Sequence, residues 1–158
     1  MMIKKIVAVD PDVAKSGVAV VDVEKSEVQT YSMSFPDLID YLYSFTENQS
    51  VSIAVEAGWL NHKSNFHGYY GRRGEKIAKD VGANHETGRK IVEMCEHRNL
   101  SVSLIKPLGK RWKGSGGKIT HSELESVLKG RKIALNKKRT NQDERDSILI
   151  AIHQYDKL

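Results

Sequence analysis

Four carboxylates stand where chemistry could be done. Asp10 follows the apolar run "IVAV", Glu56 follows "SIAV", and Asp143 and Asp146 lie three apart at the head of "QDERDSILIAIH". Two acids that end neighbouring parallel strands emerge side by side at the carboxyl edge of an α/β sheet, where such folds bind ligands. They repel one another there, so a pKa rises or a cation is required. Residues three apart share a helix face, and Asp143 and Asp146 can close the same cluster from one side. Oxygen donors without a His or Cys set suit Mg²⁺ or Mn²⁺ rather than zinc. A pair of such ions activates a water and stabilises the leaving oxygen of a phosphodiester, so the chemistry implied is hydrolysis. Each acid has a structural alternative. Asp10 can simply start the turn "DPD", and Glu56 can end a strand at the surface. Thr140 with Asp143, and Asn141 with Glu144, both match capping-box spacing. Their joint placement is what favours a metal site.

The elements that must position these acids show in the periodicity. "IKKIVAV" and "GVAVVDV" are apolar runs and "EVQTYSM" alternates with period two, with "EKS" as a hairpin turn, which predicts three antiparallel strands. "FPDLIDYLYSFTEN" reads as a helix with Pro36 in its first turn, and "SVSIAV" as a fourth, buried strand. From Gly58 to Gly82 five glycines are mixed with basic, aromatic and polar side chains, so a long and partly mobile loop is expected. "ANHETGRKIVEMCEHRNL" resumes helical spacing, with Glu86 placed to pair with Lys90, and "SVSLIKP" is a fifth strand stopped by Pro107. A Gly-rich basic segment, a short helix from about Ile119 to Leu128, a basic linker and the last helix complete the chain. This order predicts an α/β fold: a five-stranded mixed sheet with helices on both faces.

With 158 residues, 39% hydrophobic and 28% charged, one domain over 1–158 is expected, and a disordered tail or a two-domain enzyme is not. Cys95 is the only cysteine, which excludes a disulfide framework and a thiolate zinc site and suits a small hydrophobe in a helix core. No signal peptide or membrane span is visible, so a cytoplasmic protein is expected. The net charge of +5 is clustered: five Lys or Arg and no acid from Lys106 to Lys118, six and no acid from Lys129 to Arg139. Such stripes suit a polyanion, although a solvated basic face has the same composition.

"IVAVDPDVAKSGVAVVD", "SIAVEAGW" and "QDERDSILIAIH" resemble the three acidic motifs of RuvC-type Holliday junction resolvases, within the RNase H-like nuclease superfamily. The resemblance runs in order over nearly the whole chain. It implies an RNase H-like fold with Asp10, Glu56, Asp143 and Asp146 as metal ligands for Mg²⁺ or Mn²⁺, with two ions per site. It also implies a homodimer that resolves four-way DNA junctions by paired symmetric nicks, in recombination and repair. Trp59, three after Glu56, falls where the family carries an aromatic that stacks on bases, a contact worth about 1 to 3 kcal/mol per base; packing against the core is the alternative. "KPLGKRWKGSGGK" falls where the family has a lysine-bearing loop near the scissile phosphate. Lys110, Lys113 and Lys118 are candidates for it, Lys118 with a catalytic role, and Arg111 is a further DNA contact. The family's "DPG" is "DPD" here, so Asp12 is either a tolerated turn residue or an extra charge near the ions. Gly17 keeps its expected place.

"NHKSNFHGYYGRRGEK" interleaves basic residues, Arg72 and Arg73 among them, with Phe66, Tyr69 and Tyr70, as a mobile contact to a splayed DNA strand would. His62, His67 and His121 lack zinc-motif spacing and read as surface histidines. Gly88 would permit close helix approach, which makes the helix from Ala83 to Arg98 and the loop before it the candidate dimer interface. Accessory junction-binding proteins are not legible. Three other readings use the same features. A related nuclease acting on RNA:DNA hybrid or structured RNA would need the same four acids, and a non-catalytic branched-DNA-binding module would need none of them for metal. A sugar-kinase or actin-like ATP site requires a second Gly-rich phosphate loop for which the chain is too short.

Overall fold

The β-branched runs pair as a meander. In the computed structural model, which describes residues 2–46, 50–61 and 71–158, β1 (Lys5–Asp10), β2 (Ser16–Asp22) and β3 (Glu27–Met33) are successive antiparallel neighbours. β4 (Val51–Glu56) lies parallel to β1, and β5 (Val102–Ile105) parallel to β4. A two-residue strand, β6 (Ala134–Leu135), joins β3, so the sheet has six strands in the order β5-β4-β1-β2-β3-β6. The expected five are all present; β6 is too short to leave a period-two signal.

The centre of the sheet is covered on both faces, which is why β1 and β4 read as continuous apolar runs. Along β1, Ile6 and Ala8 face one core with Leu124 and Leu128 of α3 (His121–Gly130) and Ile148 and Ala151 of α4 (Gln142–Tyr155). Val7 and Val9 face the other, with Leu38 and Leu42 of α1 (Phe35–Tyr43) and Ile91 and Cys95 of α2 (Gly71–His97). Cys95 is fully buried, as expected, and burial pushes its thiol up to about 11. Ser34 caps α1, which ends at Tyr43, short of the expected span.

The expected loop from Gly58 to Gly82 is mostly a different structure. A 3-10 turn occupies Gly58–Leu60, and α2 is already helical from Gly71. Gly71, Gly74 and Gly82 hide this start, because each glycine in a helix costs about 1 kcal/mol relative to alanine and reads as a break. Residues 62–70, with Phe66, Tyr69, Tyr70, His62 and His67, lie outside the described residues. On α2, Glu86 pairs with Arg89 and Lys90 with Glu93, each three residues on, in place of the expected Glu86–Lys90 pair. Among the described residues no helix is long and apolar enough to cross a membrane.

Candidate active site

The parallel register of β1 and β4 aligns Val9 with Val55, so the next residue on each strand, Asp10 and Glu56, leaves the sheet beside the other. On its other side Asp10 pairs with Gly17 of β2, and α4 crosses this pair. A Cβ on Gly17 would stand 3.3 Å from the Asp143 carbonyl oxygen, 3.7 Å from Ser147 Cβ and 3.8 Å from Asp10 Cβ. Glycine therefore sets how closely the first turn of α4 approaches the strand carboxylates.

The capping question resolves in favour of Asn141 and Glu144. Asn141 Oδ1 accepts from the Glu144 amide at 2.8 Å, and Glu144 Oε1 accepts from the Asn141 amide at 3.2 Å. The other Glu144 oxygen takes Thr30 Oγ1 at 2.7 Å and Lys137 Nζ. Asp143 is left out of the cap. It lines, with Asp10, Glu56 and Asp146, a cavity of about 360 Å³ that also receives Lys15, Lys110 and Lys118.

The carboxylates of this cavity are partly buried and repel one another. Burial, and then the charges of Glu56, Asp146, Asp143 and Asp12, raise Asp10 from 3.8 to about 7. Glu56 is raised by burial and by Asp146, while Lys110 opposes the shift. A divalent cation relieves this repulsion, and an all-oxygen donor set fits Mg²⁺ or Mn²⁺. Among the described residues no three acidic, His or Cys side chains stand together at metal-shell spacing. Asp146 is held by a neighbour on its own helix, Gln142 Nε2, which donates to Asp146 Oδ1 at 2.8 Å.

The basic loop is built rather than slack. The Trp112 amide donates to the Gly117 carbonyl and the Gly114 amide to the Lys118 carbonyl, both at 2.9 Å. Gly116 and Gly117 have φ of 65° and 78°. A Cβ on Gly114 would meet the Lys118 carbonyl oxygen at 2.3 Å, and one on Gly117 the Lys110 carbonyl oxygen at 2.5 Å. These glycines were invisible as site residues, although "KGSGGK" between two lysines is their trace. The loop brings Lys110 and Lys118 to the cavity. Arg111 and Lys113 are exposed beside it: Arg111 lies over the Trp112 ring, and the Lys113 amide is held by Glu123.

Trp59 lines a second cavity, of about 570 Å³, that shares Asp10, Glu56 and Lys110 with the first. The Trp59 ring is half-buried against α2. A Cβ on Gly88 would lie 2.5 Å from Trp59 Cζ3, and the Arg89 guanidinium is 5.5 Å from the ring centroid. Gly88 thus makes room for Trp59 within the chain, which replaces the reason for assigning it to a subunit interface. His85, missed from the sequence, lines the same cavity beside Gly58; burial and then Arg89 hold its imidazole below the ordinary range. Arg72 and Arg73 are exposed on the first turn of α2. Asp12 is a turn residue at the cavity wall. Its Oδ1 accepts from the Ala14 amide at 2.8 Å and its own amide donates to Ser16 Oγ at 3.1 Å, at a φ that is not left-handed. His121 is not merely solvated: Nδ1 meets Thr140 Oγ1 at 2.8 Å, and Nε2 meets Glu125 at 3.1 Å.

No family model matches the chain, and no curated protein does. Solved structures do. Thermus thermophilus RuvC in complex with a Holliday junction substrate superposes with a TM-score of 0.54 at 16% identity, covering 99% of this chain and 96% of that one. A second T. thermophilus RuvC structure gives 0.51 at 14%, covering 94% and 91%. The fowlpox virus Holliday junction resolvase gives 0.51 at 12%, covering 97% and 98%. The chain therefore has the RNase H-like α/β fold of RuvC and related resolvases over nearly its whole length.

Proposed function

We propose that this chain is a Mg²⁺- or Mn²⁺-dependent endodeoxyribonuclease of the RuvC type, which resolves four-way DNA junctions by paired symmetric nicks in recombination and repair. The observation that carries the reading is the convergence of Asp10, Glu56, Asp143 and Asp146, from two strands and a helix, on one cavity bordered by Lys110 and Lys118. The shared fold with resolvases, one of them described in complex with a Holliday junction substrate, supports the substrate class.

Asp10 and Glu56 would hold the ions from the sheet edge, and Asp143 and Asp146 from α4. Mg²⁺ or Mn²⁺, when bound, supplies charge neutralisation and an activated water for in-line displacement. Lys110 balances Glu56, whose charge it already favours. Lys118 is left for the phosphate, where a positioned ammonium offsets developing charge. The exposed Arg111, Lys113, Arg72 and Arg73 extend the positive surface along the DNA backbone, and Trp59 offers an aromatic edge beside the scissile position. Two symmetric cuts are made most simply by two copies of one site, so the working unit is a homodimer.

The test is a Mg²⁺ cleavage panel: four-way junction, linear duplex, single strand and RNA:DNA hybrid, with wild type and Asp10→Asn. Paired nicks confined to the junction, and lost in the variant, are expected. Cleavage of the hybrid instead would select the RNA-directed nuclease, and binding without cleavage would leave a branched-DNA-binding module.

A further inference from the structure

Arg145 stands between the two acids of α4, and its guanidinium is spent on neither. Nε donates to the Ile119 carbonyl at 3.0 Å, Nη2 to Gln142 Oε1 at 3.0 Å, and Nη1 to the Thr140 carbonyl and to Thr140 Oγ1, the latter at 3.2 Å. Gln142 Nε2 then reaches the same Ile119 carbonyl at 3.4 Å and Asp146 Oδ1 at 2.8 Å. Ile119 directly follows Lys118, and its side chain is 1% exposed in the core, so its carbonyl needs an internal partner. The loop hangs from this point, since the Lys118 carbonyl holds the Gly114 amide and the Gly117 carbonyl the Trp112 amide. Its far side is tied by Glu123, which accepts from the Lys113 amide at 3.1 Å and from the Thr120 amide at 3.1 Å.

A guanidinium fork serves several fixed acceptors at once; an ammonium on a flexible stem does not. We infer that Arg145, with Gln142, is a positioning residue that fixes the lysine loop to the carboxylate-bearing turn of α4, so that Lys118 and Asp146 are presented to one phosphate as a unit. The inference rests on the nuclease reading for its catalytic consequence, and on hydrogen bonds alone for the clamp. Loss of the fork frees the loop while Gln142 Nε2 still holds Asp146, which lowers turnover and spares DNA affinity, because the basic side chains remain. Arg145 acts through Lys118, so the two losses do not multiply.

The experiment compares wild type, Arg145→Met, Arg145→Lys, Lys118→Met and the Arg145→Met/Lys118→Met double variant. Thermal unfolding establishes that each is folded. Hydrogen exchange of the protein alone is then read beside single-turnover cleavage of a four-way junction. In Arg145→Met, the Trp112 and Gly114 amides exchange at least about tenfold faster while β1 amides are unchanged. Cleavage slows about 10- to 100-fold with junction affinity held within about twofold, and Arg145→Lys is intermediate. The double variant cuts within about threefold of Lys118→Met. Unchanged loop exchange overturns the clamp whatever the activity, and multiplicative losses overturn its action through Lys118. Should wild type cut no junction, the nuclease reading falls, while faster loop exchange still establishes the clamp. If Arg145→Met does not fold, Arg145→Lys takes its place: faster loop exchange in that variant supports the clamp, and unchanged exchange overturns it.

Discussion

Replacing Asp10 by Asn should make the divalent-free protein more stable at pH 8, although it removes a carboxylate on which the proposed chemistry depends. Burial first, and then the neighbouring acids, raise Asp10 from 3.8 to about 7. An acid raised by folding opposes folding once it ionises: the cost begins as pH rises past 3.8, grows through the interval and is complete above about 7. At about 1.4 kcal/mol for each pH unit, this is about 4.5 kcal/mol at pH 8, of which Asn should recover about 3 to 4, and about 1.5 at pH 5. Asn is nearly isosteric with protonated Asp and recovers most of it. For a domain of this size each kcal/mol moves Tm by about 2 to 4 °C, so the variant should melt roughly 6 to 16 °C higher at pH 8 in EDTA. The gap should shrink to less than half at pH 5. Saturating Mg²⁺ should narrow or reverse it at pH 8, because an ion that binds only the folded carboxylate cluster stabilises wild type by mass action. A variant that melts lower than wild type at pH 8 in EDTA, or a gap equal at both pH values, would refute the electrostatic account of the cluster.

Three further outcomes are expected. Gly117→Ala places a Cβ 2.5 Å from the Lys110 carbonyl oxygen at a φ of 78°, a strain of about 1 to 3 kcal/mol, so junction cleavage should fall by at least about tenfold in single-turnover assays while Tm drops by roughly 2 to 12 °C. Gly88→Ala drives a methyl into Trp59 and should cost about 1 to 3 kcal/mol in urea unfolding, with no change in sedimentation behaviour, because the contact lies within one chain. Junction affinity should fall steeply between about 50 and 200 mM salt, and removing both Arg111 and Lys113 should lessen the slope of log K against log salt by about 2; an unchanged slope would remove them from the phosphate contacts.

What could be read from the sequence follows from where the physics is local. β1 and β4 are buried on both faces, so their apolar runs are unbroken and the first acid after each is conspicuous; Asp10 and Glu56 were legible for that reason. Asp143 and Asp146 showed through helical spacing, but the choice between the two capping pairs did not. It is made by Thr30 and Lys137, which hold Glu144 from elsewhere in the chain. α2 was read only from Ala83, because glycines in its first turns imitate a loop. Gly17, Gly88 and Arg145 owe their roles to partners distant in sequence: α4 for Gly17, Trp59 for Gly88, Ile119 for Arg145. No period or spacing encodes such contacts.

The most direct measurement of the metal centre is a calorimetric titration of Mn²⁺ into wild type and Asp10→Asn at pH 7, in two buffers of different ionisation enthalpy. Metal binding displaces protons from its ligands, and Asp10, raised to about 7, still retains part of its proton at that pH. Saturable binding to wild type with proton release, and loss of both in Asp10→Asn, is the expected result. Equal binding by the two proteins, or none by either, would contradict the assignment of these four carboxylates to a catalytic metal site.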